Sequence, residues 1–263
     1  MSSPSLLTVD PGFDIRPTVA PMGFEYGPGV FGPVPELRSL DAIRPSLRDP
    51  HCDGPNEVYA IAMDVGTEEA RPGLLELNLL FGAVTYAAGT LGQEPVRSQG
   101  HIHAVSASCG SSTPELYEIW SGSAVILMQE TADDDPGRSF AVAAGPGDLV
   151  VVPPGWAHAT ISADAAQPLT FGAWCVRDFG FDYIGVRAHS GLAWFPRVTA
   201  DGLAWERNEA YPLRRELDAH GARDYPELGL ERGTPIWSQY VAEPERVLWV
   251  ARPELVDWKG FTP

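Results

Sequence analysis

Short apolar runs separated by clusters of glycine, proline and aspartate limit most strongly what this chain can fold into. These runs are rich in β-branched or aromatic residues and are Val58–Met63, Leu75–Phe81, Ala124–Gln129, Leu149–Val152 and Leu169–Val176. Their length and composition predict β-strands, and their spacing is typical of an antiparallel sandwich or barrel. We therefore predict a mostly β protein.

The composition changes on both sides of these runs and suggests three parts. Residues 1–54 are rich in proline and glycine and predict an N-terminal arm, with a short helix within Pro35–Asp49. Residues 55–200 are expected to form the barrel. Residues 201–263 are more polar and predict a C-terminal extension with helices at Tyr211–His220 and Pro244–Leu255.

The charge balance limits the partners of the chain. It has 18 basic and 35 acidic residues, a net charge of −17. Such a surface repels nucleic acid and anionic membranes, so we expect neither as a partner, and an anionic substrate must be met by local donors. No apolar run approaches the ~20 residues of a membrane span. Three separate cysteines and an N-terminus unlike a signal peptide predict a cytoplasmic protein.

Two segments carry residues that suit a metal ion. RSQGHIHAVSASCGSSTPELYEIWSG contains His101, His103 and Glu115, and GDLVVVPPGWAHATIS contains His158. The first two histidines are two apart, so on a strand both side chains point to one face. Three imidazoles and one carboxylate suit one divalent ion, and Fe, Mn, Zn, Ni and Co all remain open. The other three histidines do not lie in a segment with further ligand residues, and we interpret them as structural or surface residues: His51, His189 and His220.

Both segments resemble the paired motifs of the cupin superfamily. Within it, GHIHA, the pair Glu115 and Tyr117, and VVVPPGWAHATI resemble the archaeal-type (cupin) glucose-6-phosphate isomerase family, over roughly residues 35–200. The resemblance implies a single cupin barrel, a double-stranded β-helix or jelly roll, with N- and C-terminal extensions containing short helices. Small barrels of this kind commonly pair through edge strands, so we expect a homodimer.

The resemblance also implies interconversion of an aldose and a ketose, either a sugar or a sugar phosphate. A divalent ion would stabilise negative charge on the sugar oxygens O1 and O2. Glu115 is then the candidate proton carrier as well as a metal ligand. Tyr117, two residues on and on the same face, is expected to orient Glu115 or to hydrogen-bond the sugar.

Substrate contacts follow from the same resemblance. Ser98 and Gly100 stand where the family places a threonine hydroxyl and a glycine N–H near the phosphate. Tyr59 and Tyr183 correspond to tyrosines that face the sugar or phosphate. Thr85 is the hydroxyl nearest to a stretch, residues 82–84, where relatives use threonines.

The chain departs from the family pattern around the expected substrate. The stretch AVSASCGSSTP between His103 and Glu115 is longer than in compact relatives and predicts a loop over the mouth of the site. Cys175 and Phe181 replace a tyrosine and a histidine that approach substrate. Losing polar groups removes charge-assisted bonds to a phosphate. We therefore predict a retained ion site within an altered substrate pocket.

Two other functions compete with an isomerase. Three histidines and a glutamate holding iron also support dioxygen chemistry, so a metal-dependent cupin dioxygenase is the second hypothesis. Oxygen consumption during turnover would distinguish it. The third hypothesis is a non-catalytic sugar-binding cupin, against which the complete ligand set argues.

Overall fold

A computed structural model describes residues 7–263, so the first six residues of the predicted N-terminal arm lie outside the described part. The chain up to His103 forms ten short strands. They are β1 Ile15–Val19, β2 Met22–Tyr26, β3 Val30–Phe31, β4 Glu36–Ser39, β5 Glu57–Met63, β6 Gly66–Thr67, β7 Leu79–Tyr86, β8 Thr90–Leu91, β9 Glu94–Pro95 and β10 Ile102–His103.

The chain after His103 continues in the same way. Its strands are β11 Glu115–Ser121, β12 Ala124–Gln129, β13 Ser139–Ala144, β14 Leu149–Val152, β15 Ala157–Ser162, β16 Leu169–Val176, β17 Phe181–Asp182, β18 Trp194–Thr199, β19 Gly202–Arg207 and β20 Leu217–Gly221. The helices are short: α1 Leu40–Ile43, α2 Arg71–Glu76, α3 Ile184–Ala188 and α4 Ile236–Ala242, with 3-10 turns at Arg44–Ser46, Pro226–Leu228, Pro244–Val250 and Pro253–Leu255.

Ten of these strands form two sheets. The larger sheet is antiparallel in the order β14-β11-β16-β7-β5-β4, and the smaller has the order β15-β12-β13-β20. All pairs of the smaller sheet are antiparallel except β13 and β20, which are parallel. Every residue of β7, β11 and β16 is buried, as expected for strands covered on both faces.

The space between the two sheets is filled by branched and aromatic side chains. Ile119 and Phe171 of the larger sheet share one buried cluster with Ile126, Met128 and Val142 of the smaller sheet. Burying each of them fully contributes about 1.5–3 kcal/mol. This two-sheet arrangement confirms the predicted mostly β, jelly-roll cupin fold.

Strand hydrogen bonding does not close the two sheets into one continuous barrel within residues 7–263. Along the open side, single antiparallel bridges join Arg97 to Ile161 and His101 to His158. The chain between β9 and β10 is thus tied to the edge strand β15. This bridge places the first histidine of the motif beside the last.

The outer face of the larger sheet is covered by the C-terminal part of the chain. The indole rings of Trp174 on β16 and Trp237 on α4 stack with centroids 5.6 Å apart and planes 3° from parallel. A Cβ at Gly172 would approach the Trp120 ring to 2.3 Å, so this strand position needs glycine for close packing. The C-terminal segment is therefore part of the core.

The structure corrects two predicted elements. Leu75–Phe81 is not one strand: α2 ends at Glu76, Asn78 is left-handed with φ 55°, and β7 begins at Leu79. Tyr211–His220 is not a helix, because Leu217–Gly221 pairs with β13. Tertiary pairing overrides local helix preference here.

The N-terminal prediction was partly right. Ser39 caps α1 by accepting a hydrogen bond from Ala42 N at 3.3 Å. Within the predicted helix range, however, Glu36–Ser39 is strand β4 of the larger sheet. The three-part domain division and the homodimer remain predictions. No helix in the described part of the chain is long and apolar enough to cross a membrane.

Candidate metal centre

The four predicted metal ligands meet at one point. His101, His103, Glu115 and His158 each offer one ligand atom, and these four atoms lie within 4.8 Å of one another. His103 ends β10, Glu115 begins β11 in the larger sheet, and His158 lies on β15 in the smaller one. The site therefore bridges the two sheets and depends on both being packed together.

The turn before His158 is held by the long stretch between β10 and β11. Gly155 lies in that turn with φ +79°, a conformation that favours glycine. Its N–H donates to Ser112 Oγ at 2.9 Å, and the Ser112 hydroxyl donates to the backbone oxygen of His103 at 2.7 Å. One serine of the stretch thus ties two ligand segments together.

Backbone carbonyls orient two of the imidazole rings. His103 Nδ1 lies 2.9 Å from the Thr113 carbonyl, and His158 Nδ1 lies 3.1 Å from the Trp156 carbonyl. A carbonyl only accepts, so both Nδ1 atoms carry the proton and both Nε2 atoms of the neutral rings hold lone pairs. This arrangement is characteristic of metal-binding histidines.

The Nε2 lone pairs face a carboxylate oxygen. Glu115 Oε2 lies 3.2 Å from His103 Nε2 and 3.1 Å from His158 Nε2. The Nε2 atoms of His101 and His103 are buried without an aligned hydrogen-bond partner in residues 7–263. Acceptors this close repel each other unless positive charge lies between them. The donor set therefore fits a cation.

The electrostatics favour a neutral His101 beside an ionised Glu115 carboxylate. Burial, reinforced by His158 and His103, lowers the pKa of His101 well below its usual value. Burial alone would raise the pKa of Glu115, but positive charge on the side of His103 and His158 outweighs it and lowers that pKa well below the ordinary range; with both Nε2 atoms unprotonated, a cation has to supply that charge. A divalent ion bound by nitrogen and oxygen ligands suits these protonation states.

Both oxygens of Glu115 have further partners. The Tyr117 hydroxyl donates to Oε2 at 2.6 Å, and the Cys175 thiol donates to Oε1 at 3.3 Å. Burial raises the pKa of each donor well above its usual value, and the nearby carboxylate adds to that effect. Both groups therefore stay protonated and orient the carboxylate.

A cavity opens beside the ligands, with about 610 Å³ of free space including its opening to solvent. Three of the five predicted substrate-binding residues line it: Ser98, Tyr59 and Tyr183. Gly100 is not among the lining residues, although its neighbours in sequence are. It has φ +87°, so its structural role is the backbone turn that brings His101 into the site.

The structure corrects the expectation that Thr85 contacts the substrate. Thr85 does not line the cavity, and its buried hydroxyl is 3.0 Å from the hydroxyl of Thr170. Side chains alternate along β7, so Gly82, Val84 and Tyr86 face the cavity and Thr85 faces away. Residues 82–86 therefore offer the cavity a single hydroxyl, that of Tyr86.

The cavity includes residues that the sequence analysis missed. Arg38 and Gln99 line it, and neither was expected there. Gln99 lies within the motif RSQGHIH, so its position was a usable signal. Arg38 reaches the cavity because it stands opposite Tyr59 in the pairing of β4 with β5, which no local pattern reveals. Phe181, a noted departure, packs edge-on against His101 at 4.4 Å.

Comparisons with known proteins give consistent results. The family model "Glucose-6-phosphate isomerase (GPI)" matches residues 51–214, more than half of the chain. The glucose-6-phosphate isomerase of Thermococcus gammatolerans is 30% identical over 131 residues, which are 50% of this chain and 59% of that protein. That of Pyrococcus furiosus is 31% identical over 137 residues, 52% of this chain and 62% of that protein.

The chain thus spans about three fifths of the length of these curated relatives. Among solved structures, a mutant of Bacillus subtilis oxalate decarboxylase aligns with a TM-score of 0.35 and 16% identity, covering 60% of this chain and 30% of that chain. This likeness is too low to carry an argument.

Proposed function

The chain belongs to the glucose-6-phosphate isomerase family, and from that premise we propose that it is a metal-dependent aldose–ketose isomerase acting on a sugar or sugar phosphate. The observation that carries the proposal is the convergence of three imidazoles and Glu115 beside a cavity. His101 and Glu115 line that cavity. Ligands of this kind suit several divalent ions, so the identity of the metal is not part of the proposal.

The reaction needs charge stabilisation and proton transfer. A divalent ion held by His101, His103, His158 and Glu115 would act as a Lewis acid for negative charge on neighbouring sugar oxygens. The protein supplies the rest. Phe171, Val84 and Phe181 line the cavity, and such apolar walls limit water and strengthen the electrostatics inside.

Glu115 is the proposed proton carrier, and its two oxygens have different surroundings. Oε2 is close to Tyr117, His103 and His158. Oε1 faces Cys175, whose S–H is a weak donor. We therefore assign metal binding and orientation to the Oε2 side and proton transfer to Oε1, which removes the competition between two roles for one atom.

The test is an NMR screen of metal-loaded protein with free and phosphorylated aldoses in D₂O. We expect a ketose to form without oxygen uptake, and His103→Ala prepared in parallel should form none. Deuterium in the product at the carbon next to the carbonyl would indicate the enediol route through Glu115. A protein that binds metal but forms no ketose, or that consumes oxygen during turnover, would refute the proposal.

A further inference from the structure

One side of the cavity carries polar donors that the metal site does not use. Arg38 stands on edge strand β4, and among the described residues lining the cavity it is the one with a permanent positive charge. Tyr183 connects it to the ligands: its ring is 6.0 Å from that of His101. Burial raises the pKa of Tyr183, and the nearby charge of Arg38 opposes this rise. The ring of Tyr183 thus lies between the Arg38 guanidinium and the metal ligand His101.

The guanidinium of Arg38 interacts with Glu36 and with the hydroxyl of Tyr59 but is only partly paired. Its Nη2 contacts Glu36 Oε1 at 2.7 Å, and the Glu36 side chain is 64% exposed. An ion pair with so exposed a carboxylate is weak. Arg38 Nε is buried and has no hydrogen-bond partner within residues 7–263. A buried donor left unpaired costs free energy, which an incoming acceptor recovers.

Gln99 supplies a second donor on this side of the cavity. Its Oε1 accepts from Arg187 Nε at 3.2 Å and from Arg187 Nη2 at 3.0 Å. A guanidinium has donors only, so the amide oxygen must face Arg187 and the amide nitrogen must face away from it. Gln99 is 2% exposed, and its Nε2 has no aligned hydrogen bond in the described part of the chain, although Tyr183 lies close by.

An anion would satisfy both donors. Arg38 and Gln99 line the same cavity, and Arg38 adds the charge that makes a hydrogen bond to a phosphate or carboxylate strong. The chain as a whole carries −17, so an anionic ligand must depend on such local donors. Strand β7, two strands away in the same sheet, offers little, because Thr85 points away from this space.

We propose that Arg38 and the amide nitrogen of Gln99 form the subsite for the anionic group of the sugar and make the cavity selective for charged over neutral sugars. The inference rests on the proposed function for the orientation of the sugar, with its carbonyl end at the metal ligands. Phosphate and carboxylate share the required chemistry, so the probes must separate them.

The experiment is isothermal titration of metal-loaded protein with glucose, glucose 6-phosphate and glucuronate. We expect at least one of the two anionic sugars to bind more tightly than glucose. Arg38→Met and Gln99→Glu should each weaken the binding of that anionic sugar, by roughly 10- to 100-fold in Arg38→Met. Each should change the affinity for glucose less than twofold. The affinity of Arg38→Lys for the anionic sugar should lie between those of the wild type and Arg38→Met. Arg16→Met, which removes an exposed arginine of β1, is the matched control.

The outcomes separate this inference from the proposed function. No advantage of either anionic sugar over glucose, or an advantage that both Arg38→Met and Gln99→Glu retain, would overturn the subsite. An advantage that disappears in the variants while no ketose forms would refute the isomerase and leave the subsite standing. Ketose formation together with unchanged binding of the anionic sugar in both variants would refute the subsite and leave the isomerase standing. Gln99→Glu keeps the acceptor for Arg187, so the test remains open if Arg38→Met fails to fold.

Discussion

The hydroxyl of Tyr117 donates a hydrogen bond of 2.6 Å to Oε2 of Glu115, two residues earlier on β11. Alternation along the strand places both side chains on the same face. Burial raises the pKa of Tyr117 well above its usual value, so the hydroxyl remains a donor at neutral pH. This pair holds one oxygen of the carboxylate and orients the other.

Tyr117→Phe tests that role. We expect kcat to fall by about tenfold or more, because a hydrogen bond to a charged group contributes about 1.5–3 kcal/mol, while bound metal stays stoichiometric. Steady-state kinetics and metal analysis of the same preparation measure both. An unchanged kcat would mean that the tyrosine only fills space. Tyr225→Phe, which removes a hydroxyl bonded to Val151 N outside the cavity, is the control.

Glu115→Gln separates proton transfer from metal binding. The amide keeps an oxygen but cannot carry the proton, so we expect activity to fall by about 10²–10⁴-fold and metal content to fall much less. Turnover and metal content are measured together across a range of added metal. Equal loss of both quantities would show that Glu115 acts chiefly as a ligand.

His103→Ala and His158→Ala should each abolish stoichiometric metal binding and activity. Each removes one nitrogen from the set whose ligand atoms lie within 4.8 Å of one another. Elemental analysis after dialysis, with circular dichroism to check the fold, measures this. His189→Ala is the matched control, because His189 stacks on Tyr211 and contacts Asp134 rather than the ligands. Stoichiometric metal in both ligand variants would contradict the assignment.

Glu118 predicts a pH dependence of stability. It is 3% exposed, and burial raises its pKa from 4.5 to about 7, although Trp120 and the Ile236 N–H donate to it. The folded state therefore binds this proton more tightly than the unfolded chain. Its stabilisation is fully present below about pH 4.5 and is lost as the pH rises through about 7, amounting to about 3 kcal/mol.

Urea unfolding of chelator-treated protein between pH 4 and 8 measures this contribution. We expect Glu118→Gln to remove most of that decline in the free energy of unfolding, because the amide does not titrate. Glu76→Gln, at an exposed position, should leave it unchanged. If Glu118→Gln and the wild type show the same decline, the decline arises elsewhere.

Asp178 anchors the long stretch between β10 and β11. Its carboxylate accepts from the Ser106 hydroxyl at 2.9 Å and from the Ser108 N–H and hydroxyl at 3.0 Å, and Asn78 Nδ2 donates to it at 2.9 Å. Burial opposes ionisation, but these hydrogen bonds outweigh it and lower the pKa of Asp178 to about 2. The anchor therefore persists at all pH values well above 2.

Asp178→Ala should release this loop. We expect protease cleavage within residues 104–114 to become several-fold faster, since local opening controls such cleavage, with metal content nearly unchanged. Limited proteolysis followed by mass spectrometry identifies the cut sites. Asp201→Ala, at the exposed turn between β18 and β19, should be cleaved at the same rate as the wild type. Equal cleavage in both variants would show that the anchor does not hold the loop.

The candidate metal ligands could be predicted because each of the two motifs that carry them is local in sequence, although the two meet only when the sheets pack. His101 and His103 share a face through the two-residue period of an extended chain, and a proline–glycine turn presents His158. Substrate contacts were harder to predict. Thr85 was expected in the cavity, but the register of β7 turns it toward Thr170, and a shift by one residue exchanges the two faces of a strand.

By itself, the sequence determined the mostly β fold, the four ligand residues and the short strands that present them, because strand periodicity and turn chemistry act over a few residues. Tertiary structure alone decided which ring nitrogens face Glu115, since the carbonyls of Thr113 and Trp156 orient the imidazoles. It also brought Arg38 to the cavity that Gln99 lines, through the pairing of β4 with β5. Such contacts join residues far apart in the chain, and they exist only once the sheets have paired and packed.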